Sequence, residues 1–469
     1  MTEQLDLDDM QGLLARGYSG LPFATFLLLG IDDAAAARAG LRRWVHLVTS
    51  AERAPVAVAV NLALTAAGVA TLSPAGSLPA GFSEPFASGM ATPYRSRLLG
   101  DVGDDDPRGW AWGGPGTDEV HLMVLLYAVD AAGLAAAARD VAGHAERHGM
   151  RLVRRLDTLE LAEREQFGFR DGISQPTLDG LPRAKEGTDV VRAGEFVLGY
   201  LNEYGLLSER PLLAPERDPD RLLPVDPAGS GAADLGRNGS YLVVRQLSQD
   251  VPAFREFLDR ATRGADGMPD PAAAELLAAK LVGRWPGGAS LTLSPDRDDP
   301  ALATANDFGY HELDARGLRC PVGSHVRRTN PRDSLEPSPG TESSREVNRR
   351  HRLLRRGRGY REYDTGDASG AGESGLHFLC LNANLLRQYE FVQHSWVNDP
   401  SFNGMVGSVD PLVGPRGPAG TTFTEPALPV RRRHQGLPRF VRVRGGAYFF
   451  LPGIRALRYL AAPTGPTRP

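Results

Sequence analysis

The order of hydrophobic patterns in the first 160 residues is the feature that most restricts the fold of this chain. Apolar residues alternate where a strand is expected, and they recur every three or four residues where a helix is expected. In chain order the patterns are an apolar run at 23–29, a helix at 32–48, a strand at 56–64, a strand at 120–128, a helix at 130–148 that Asp130 can cap, and a strand at 152–156. This β-α-β-β-α-β order predicts an α+β unit with an antiparallel sheet.

A similar but less complete order occurs in the second half of the chain. Its patterns are a strand at 241–247, a helix at 251–262, a strand at 376–381, a helix at 384–395 and a strand at 447–451. The segment 205–238 is rich in proline, glycine and aspartate, which sustain neither a sheet nor a helix. We therefore predict an N-terminal domain at 1–200, a connecting loop at 201–238 and a C-terminal domain at 239–469. A second irregular region is expected between residues 285 and 373.

The composition is typical of a folded globular protein. Of 469 residues, 42% are hydrophobic, and 53 basic against 57 acidic residues give a net charge of −4. The length is roughly two to three times that of an ordinary domain, which favours at least two hydrophobic cores. Because Cys320 and Cys380 are the only cysteines, we expect no disulfide framework and two reduced thiols.

The sequence shows no pattern for export or for a membrane span. Acidic residues occupy positions 3, 6, 8 and 9, where a secretion signal has basic residues followed by an apolar run. The most apolar stretch, 56–72, is shorter than the roughly 20 residues that cross a bilayer. We therefore expect a cytoplasmic protein without a membrane partner.

The first candidate for chemistry is the segment GFRDG, in which glycines 168 and 172 flank Arg170 and Asp171. Glycines allow backbone angles that other residues avoid, so a tight loop can direct Asp171 into a cavity. The alternative is an ordinary turn in which Asp171 caps a helix or pairs with Arg170.

The second candidate is the segment CPVGSHVRRTNPRD, which contains His325. Small residues beside this histidine leave room for a bulky planar group, and the arginines that follow can bind carboxylates. The alternative is a histidine with a purely structural role. His311 and Cys320 lie close to His325 in sequence, but the spacing matches no zinc motif, and we predict no zinc site.

The third candidate is a run of eight arginines between residues 345 and 361. Such a run is usually a solvated face or a site for phosphate or nucleic acid. The negative net charge and the lack of a zinc-finger or RNA-recognition motif argue against a nucleic-acid partner.

Together, four segments resemble the dye-decolorizing peroxidases, most closely their larger bacterial and fungal subgroup. These segments are GFRDG followed by ISQP, CPVGSHVRRTNPRD, LLRRGRGY and FLCLNANLLRQYEFVQHSWVNDPSF, in the order and spacing of that family. The resemblance covers most of the chain, from LDLDDMQG near its start to YFFLPG near its end. It implies two ferredoxin-like units with haem b in the C-terminal one.

The resemblance also implies roles for single residues. His325 matches the histidine that binds the haem iron from the proximal side, and Asp171 matches the distal aspartate. Arg355 matches the distal arginine, with the adjacent Arg356 as the alternative. Arg332 matches a residue that contacts a haem propionate.

Three more residues are expected around the haem. Glu390 is the candidate partner for the Nδ1 hydrogen of His325. Alternation along their strand places Leu376 and Phe378 on one face, where they are expected to line the distal side.

The implied function is a haem peroxidase that reduces hydrogen peroxide through ferryl intermediates and oxidises bulky aromatic or phenolic compounds, such as dyes, in one-electron steps. Large substrates would use a surface aromatic as a relay, Tyr360 or Trp396, although either residue can instead be packing. The alternative is a haem-binding or haem-carrier protein of the same fold with little turnover. Because an aspartate is a weak base, we expect peroxide reduction to be fastest at acidic to mildly acidic pH. Monomer and homodimer both stay open.

Overall fold

The structure is a computed structural model that describes residues 4–181, 189–362, 372–417 and 420–463. Its strands are β1 (Phe23–Ile31), β2 (Val58–Leu64), β3 (Leu122–Ala128), β4 (Met150–Asp157), β5 (Thr177–Leu178), β6 (Val190–Val191), β7 (Leu212–Leu213), β8 (Ala233–Asp234), β9 (Ser240–Gln249), β10 (Leu354–Arg355), β11 (Arg358–Glu362), β12 (Glu373–Asn382), β13 (Thr421–Glu425), β14 (Arg432–Leu437) and β15 (Val441–Leu451).

Its α-helices are α1 (Gly12–Ala15), α2 (Ala34–Val45), α3 (Ala66–Leu72), α4 (Glu84–Ser88), α5 (Pro93–Leu99), α6 (Ala131–Arg147), α7 (Val251–Ala261), α8 (Pro271–Val282), α9 (Tyr310–Asp314), α10 (His325–Thr329), α11 (Glu342–Arg349) and α12 (Ile454–Ala461). The segments Leu386–Glu390 and Val392–Val397 form two consecutive π-helical stretches.

The first unit, β1 to β4, has the predicted β-α-β-β-α-β order. Its strands lie in the order β2-β3-β1-β4, and each neighbouring pair is antiparallel. Helices α2 and α6 pack on one face of this sheet through buried apolar side chains. Asp130 caps α6 by accepting a hydrogen bond from the backbone N–H of Gly133, which confirms the predicted cap.

The second unit, β9 to β15, repeats this connectivity with strands in the order β10-β12-β9-β15, and β11 also pairs with β12. The two units share one sheet, because Phe450 of β15 pairs with Leu64 of β2. The predicted α+β fold with two ferredoxin-like units is therefore confirmed. The domain boundaries at residues 200 and 239 stay a prediction.

The hydrophobic patterns do not predict β10 and β11, which lie within the region expected to be irregular. In this part of the chain Arg355 and Arg358 occupy strand positions that more often carry apolar residues, and Arg356 lies between the two strands. β10 makes its apolar contact with the neighbouring strand β12, where Leu381 is the register partner of Leu354. Helices α8 to α11 and the hairpin β13–β14 also lie outside the predicted elements.

The arginine run does not form one exposed cationic face. The guanidinium groups of Arg349, Arg352, Arg356 and Arg358 donate hydrogen bonds within the fold, and Arg361 is exposed. The partners are Glu203 and Glu342 for Arg349, Asp189 for Arg352, the carbonyls of Leu13 and Leu14 for Arg356, and the carbonyls of Gly17 and Tyr18 for Arg358. The run therefore joins β10 and β11 to the N-terminal segment and to neighbouring loops.

Both cysteines are buried and carry free thiols. Within the ranges that the structure describes, no helix combines the length and the apolarity needed to cross a bilayer. In those same ranges, no three His, Cys, Asp or Glu side chains come together as a metal site.

Candidate active site

One cavity brings together most of the residues that the sequence singles out. It lies against β9 and β12 of the second unit, and α10 borders it as well. The predicted site residues that line this cavity are His325, Asp171, Arg355, Leu376 and Phe378. Arg332 and Glu390 are not part of its lining.

His325 is the first residue of α10, and the residues around it hold its backbone in place. The hydroxyl of the buried Ser324 donates a hydrogen bond to the carbonyl of Lys280 at 2.5 Å, which attaches the start of α10 to α8. The hydroxyl of Thr329 donates to the carbonyl of His325 at 3.0 Å. The imidazole is 29% exposed and faces the cavity from a fixed position.

The ring of His325 is oriented by Asp410, which the sequence reasoning does not single out. Nδ1 of His325 lies 2.9 Å from Oδ2 of Asp410, a side chain with no solvent exposure. Oδ1 of Asp410 accepts hydrogen bonds from the backbone N–H groups of Leu412 and Val413, each at 2.9 Å. Burial alone would raise the pKa of Asp410, but the contacts with His325, Arg328 and the Val413 amide lower it to about 2. The ionised carboxylate therefore accepts the Nδ1 hydrogen, and Nε2 is free to bind a metal ion.

Glu390 is not the partner of His325, and the prediction of that contact is wrong. Its carboxylate accepts hydrogen bonds from Arg95 at 2.5 Å and from the hydroxyl of Tyr448 at 2.7 Å. Arg95 and Glu390 are each 1% exposed. A buried cation from the first unit therefore holds Glu390 in a separate ion pair.

Asp171 and Arg355 form an open pair on the cavity lining. Oδ1 of Asp171 lies 3.6 Å from Nη1 of Arg355 and accepts a hydrogen bond from the N–H of Gly172 at 2.6 Å. The two side chains are 44% and 35% exposed, so solvent reaches them. The adjacent Arg356 points elsewhere and donates to the carbonyl of Leu13 at 2.9 Å. Of the two arginines, Arg355 is thus the one that faces the cavity.

Leu376 and Phe378 form an apolar part of the wall. They lie on one face of β12 with the buried Cys380, as alternation predicts. The register partner of Phe378 on β9 is Arg245, which is buried and paired with Asp101. The wall therefore changes from apolar to charged within one strand spacing.

Two buried arginines near the cavity, Arg284 and Arg332, have no carboxylate partner among the residues that the structure describes. Both donate to main-chain carbonyls and to Oδ1 of Asn306, at 3.2 and 2.6 Å respectively, and neither Nε has a hydrogen-bond partner. Burial lowers the pKa of Arg284 to about 10. Because unpaired buried charges are costly, this cluster fits a ligand that carries carboxylates.

Known proteins are similar to this chain over 64% to 98% of its length. A dye-decolorizing peroxidase from Mycena epipterygia is 33% identical over 334 residues, which are 64% of this chain and 57% of that protein. Dye-decolorizing peroxidase msp1 from Mycetinis scorodonius is 28% identical over 97% of this chain and 87% of its own length. A dye-decolorizing peroxidase solved in complex with 2,6-dimethoxyphenol superposes with a TM-score of 0.78 at 27% identity, over 98% of this chain and 100% of that one. The chain is thus similar over nearly its whole length to dye-decolorizing peroxidases.

The extent of these matches differs between relatives. The chain spans little more than half the length of the first curated dye-decolorizing peroxidases that it matches, at 57% and 55%. A scan against protein-family models found no match.

The lining fits haem, the cofactor that the similarity to dye-decolorizing peroxidases implies. Haem iron takes a histidine nitrogen as an axial ligand, and His325 offers Nε2. Haem also carries two propionates, which match the unpaired Arg284 and Arg332. The contact of Arg332 with a propionate stays a prediction, and Arg284 is an addition that the sequence reasoning missed.

Neither aromatic relay predicted from the dye-decolorizing peroxidase resemblance lies at the surface. Tyr360 has no exposed surface, stacks on His377 with ring centroids 4.4 Å apart, and donates from its hydroxyl to Glu373 at 2.7 Å. Trp396 is 5% exposed and packs edge-on to Phe391. The expectation of a surface position is therefore wrong for both, because each ring fills space between packed elements.

Proposed function

We propose that this chain is a haem b peroxidase that reduces hydrogen peroxide and oxidises bulky aromatic or phenolic compounds, such as dyes, in one-electron steps. One observation carries the proposal: a single cavity is lined by an imidazole with a buried carboxylate on its far nitrogen and by an aspartate–arginine pair. The phenolic substrate class rests on the solved relative that binds 2,6-dimethoxyphenol.

The side chain of His325 binds the cofactor in this proposal. When bound, haem supplies the redox chemistry. Nε2 of His325 is the iron ligand, since Nδ1 donates to Asp410. The ionised Asp410 fixes the tautomer and the ring orientation and makes Nε2 a stronger ligand. Arg284 and Arg332 bind the propionates through charge-assisted hydrogen bonds.

In the proposed reaction, Asp171 transfers the proton of hydrogen peroxide, and Arg355 stabilises the negative charge that develops on the departing oxygen. With haem bound to supply the two electrons for cleavage of the O–O bond, Asp171 would accept a proton from hydrogen peroxide and return it to the departing oxygen, which leaves as water. Because the Gly172 amide and Arg355 both face Oδ1, we assign the proton transfer to Oδ2. The guanidinium of Arg355 would stabilise negative charge on the departing oxygen.

Two variants at adjacent positions test these roles. Arg355→Leu removes a guanidinium from the cavity, and we expect peroxide to react more slowly by about 100- to 1000-fold, as for the loss of one donor to a developing negative charge. Arg356→Leu removes hydrogen bonds to the N-terminal segment, and we expect lower thermal stability with a nearly unchanged peroxide rate. The measurement is stopped-flow absorbance of the haem-loaded protein after mixing with peroxide.

Three outcomes would count against the proposal. A purified and reconstituted protein without a Soret band would contradict haem binding. Loss of the peroxide reaction in Arg356→Leu, with Arg355→Leu unaffected, would contradict the assignment of the arginine. A protein that transfers haem to apo-globin and reacts equally slowly in every form would support the haem-carrier alternative.

The setting in which the chain works is part of the proposal. We expect a cytoplasmic location and either a monomer or a homodimer. Cell fractionation with an antibody against the chain and light scattering of the purified protein measure these two properties.

A further inference from the structure

The loop that presents Asp171 is a small hairpin with a carboxylate at its centre. The backbone N–H of Glu165 donates to the carbonyl of Phe169, and the N–H of Gly168 donates to the carbonyl of Glu165, both at 2.9 Å. At the open end, the N–H of Asp171 donates to the carbonyl of Glu163 at 3.2 Å. The hairpin thus ends at the residue that the proposed function places beside peroxide.

Three N–H donors converge on the side chain of Glu165. Oε2 accepts from the backbone N–H of Phe167 at 3.0 Å and from Nε2 of Gln249 at 2.7 Å, and Oε1 accepts from the N–H of Phe169 at 3.0 Å. Burial raises the pKa of Glu165, and these three donors oppose that shift. The carboxylate closes the hairpin on itself through two amides and attaches it to β9 through Gln249.

The hairpin is also anchored by its two phenylalanines. Phe167 packs on Phe254 of α7 with ring centroids 4.7 Å apart, and Phe169 is buried in the same apolar cluster. Their side chains anchor the loop in the apolar cluster, whereas the hydrogen bonds of Glu165 hold the backbone at Phe167 and Phe169. The neighbouring Glu163 makes no comparable contact, because its side chain is 79% exposed and lies 3.7 Å from Arg170.

We propose that Glu165 is a positioning residue that holds the backbone of the 163–171 hairpin so that Asp171 stays beside Arg355. This inference rests on the proposed role of Asp171. A carboxylate is required because all three surrounding groups are donors. In Glu165→Gln the amide nitrogen, itself a donor, must face one of them, so one buried N–H loses its acceptor.

A double-mutant cycle tests whether Glu165 acts through Asp171. In the haem-loaded wild type, we expect Glu165→Gln to lower kcat/KM for peroxide on the order of 10- to 100-fold, the scale of a small misplacement of a reacting group. The KM for the reducing substrate should not change. In the Asp171→Asn background, Glu165→Gln should have no further effect on the peroxide rate.

Glu163→Gln is the matched control, since it removes the same charge from the same hairpin without touching the backbone amides. We expect its peroxide rate to stay within about twofold of the wild type, in line with a weak exposed ion pair. A loss as large as that of Glu165→Gln would show that charge near Asp171 matters and positioning does not.

Hydrogen exchange gives a readout that does not depend on turnover. In Glu165→Gln, the amides of Phe167 and Phe169 should exchange faster on the order of 10-fold or more, while those of β9 keep their protection. Unchanged exchange would overturn the inference, and so would an undiminished effect of Glu165→Gln in the Asp171→Asn background. If Asp171→Asn itself leaves the peroxide rate unchanged, the proposed function fails at that residue, whatever the exchange data show.

Discussion

The two ferredoxin-like units share a connectivity but use the same face of the common sheet differently. In the first unit, α2 and α6 lie directly on this face, and Leu27, Leu62 and Val124 fill the contact. In the second unit, the corresponding face borders the cavity, and it carries Phe378 and Arg245. One face of one sheet is thus a core in one half of the molecule and a ligand site in the other.

The difference follows from where each unit carries its long insertion. In the second unit the chain between α7 and β10 is long and contains α10 with His325. The cavity lies between α10 and this face of the sheet. In the first unit the long connection runs from β2 to β3 and crosses to the other half, where Asp101 pairs with Arg245 and Arg95 with Glu390. The first unit therefore supports the cavity wall of the second.

The largest expected effect contrasts one histidine in each unit, His325 on the cavity and the buried His144. His325→Ala should abolish the Soret band or weaken haem binding by more than about 100-fold, the upper end of the loss when an outer partner of a metal ligand is removed. His144→Ala in α6 removes a buried ring that contacts the carbonyl of Gly40 at 3.0 Å. It should lower stability and leave haem binding unchanged. Haem titration followed by absorbance decides between these outcomes.

An intermediate effect on the unfolding free energy is expected from truncating apolar residues on the shared face of the sheet. Leu126→Ala in the first unit removes a side chain with no exposure and should cost about 2 to 5 kcal/mol of unfolding free energy. Phe378→Ala should cost less than about 2 kcal/mol, because one side of that ring already faces the cavity. Urea unfolding of both variants measures the difference. Equal losses would show that the cavity wall is packed as tightly as the core.

The smallest effect concerns two carboxylates with lowered pKa values. Glu425 is 6% exposed, and burial would raise its pKa, but His434 and Lys280 lower it from 4.5 to about 2. Its ion pairs therefore stabilise the fold above about pH 4.5, and this contribution is lost as the pH falls towards 2. Glu425→Gln should cost on the order of 1 to 3 kcal/mol at pH 7 and much less near pH 2.

Asp106, which lies in the connection from β2 to β3 of the first unit, is the comparison for Glu425. The hydrogen bond from Arg108 lowers the pKa of Asp106 to about 2, but the pair is solvated and screened. Asp106→Asn should leave thermal unfolding unchanged at every pH. A pH-dependent loss in Asp106→Asn as large as that in Glu425→Gln would show that burial does not set the strength of these pairs.

Much of the fold is predictable from the sequence because it rests on local periodicity. The alternation at 56–64 and the capped helix after Asp130 predict β2 and α6 to within two residues at each end. The strands β10 and β11 are not predictable in this way, because Arg358 of β11, and Arg356 between the two strands, donate to carbonyls far away in sequence, those of Gly17 and Leu13.

The site shows the same division. The family motifs point to His325, Asp171 and Arg355, which the structure brings to one cavity. The partner of His325 depends on which carboxylate reaches Nδ1, and Asp410 lies 85 residues away. Its local sequence DPLV signals only a turn in which the carboxylate accepts nearby amides.

From the sequence alone, the elements of the first unit and the candidate residues His325, Asp171 and Arg355 are predictable, since periodicity and motifs are properties of neighbouring residues. The tertiary structure alone decided which charges pair. Arg95 holds Glu390, Asp410 holds His325, and Asn306 joins Arg284 to Arg332. The physical reason is that the stability of a buried charge depends on the partners that distant segments bring to it, and no local pattern records them.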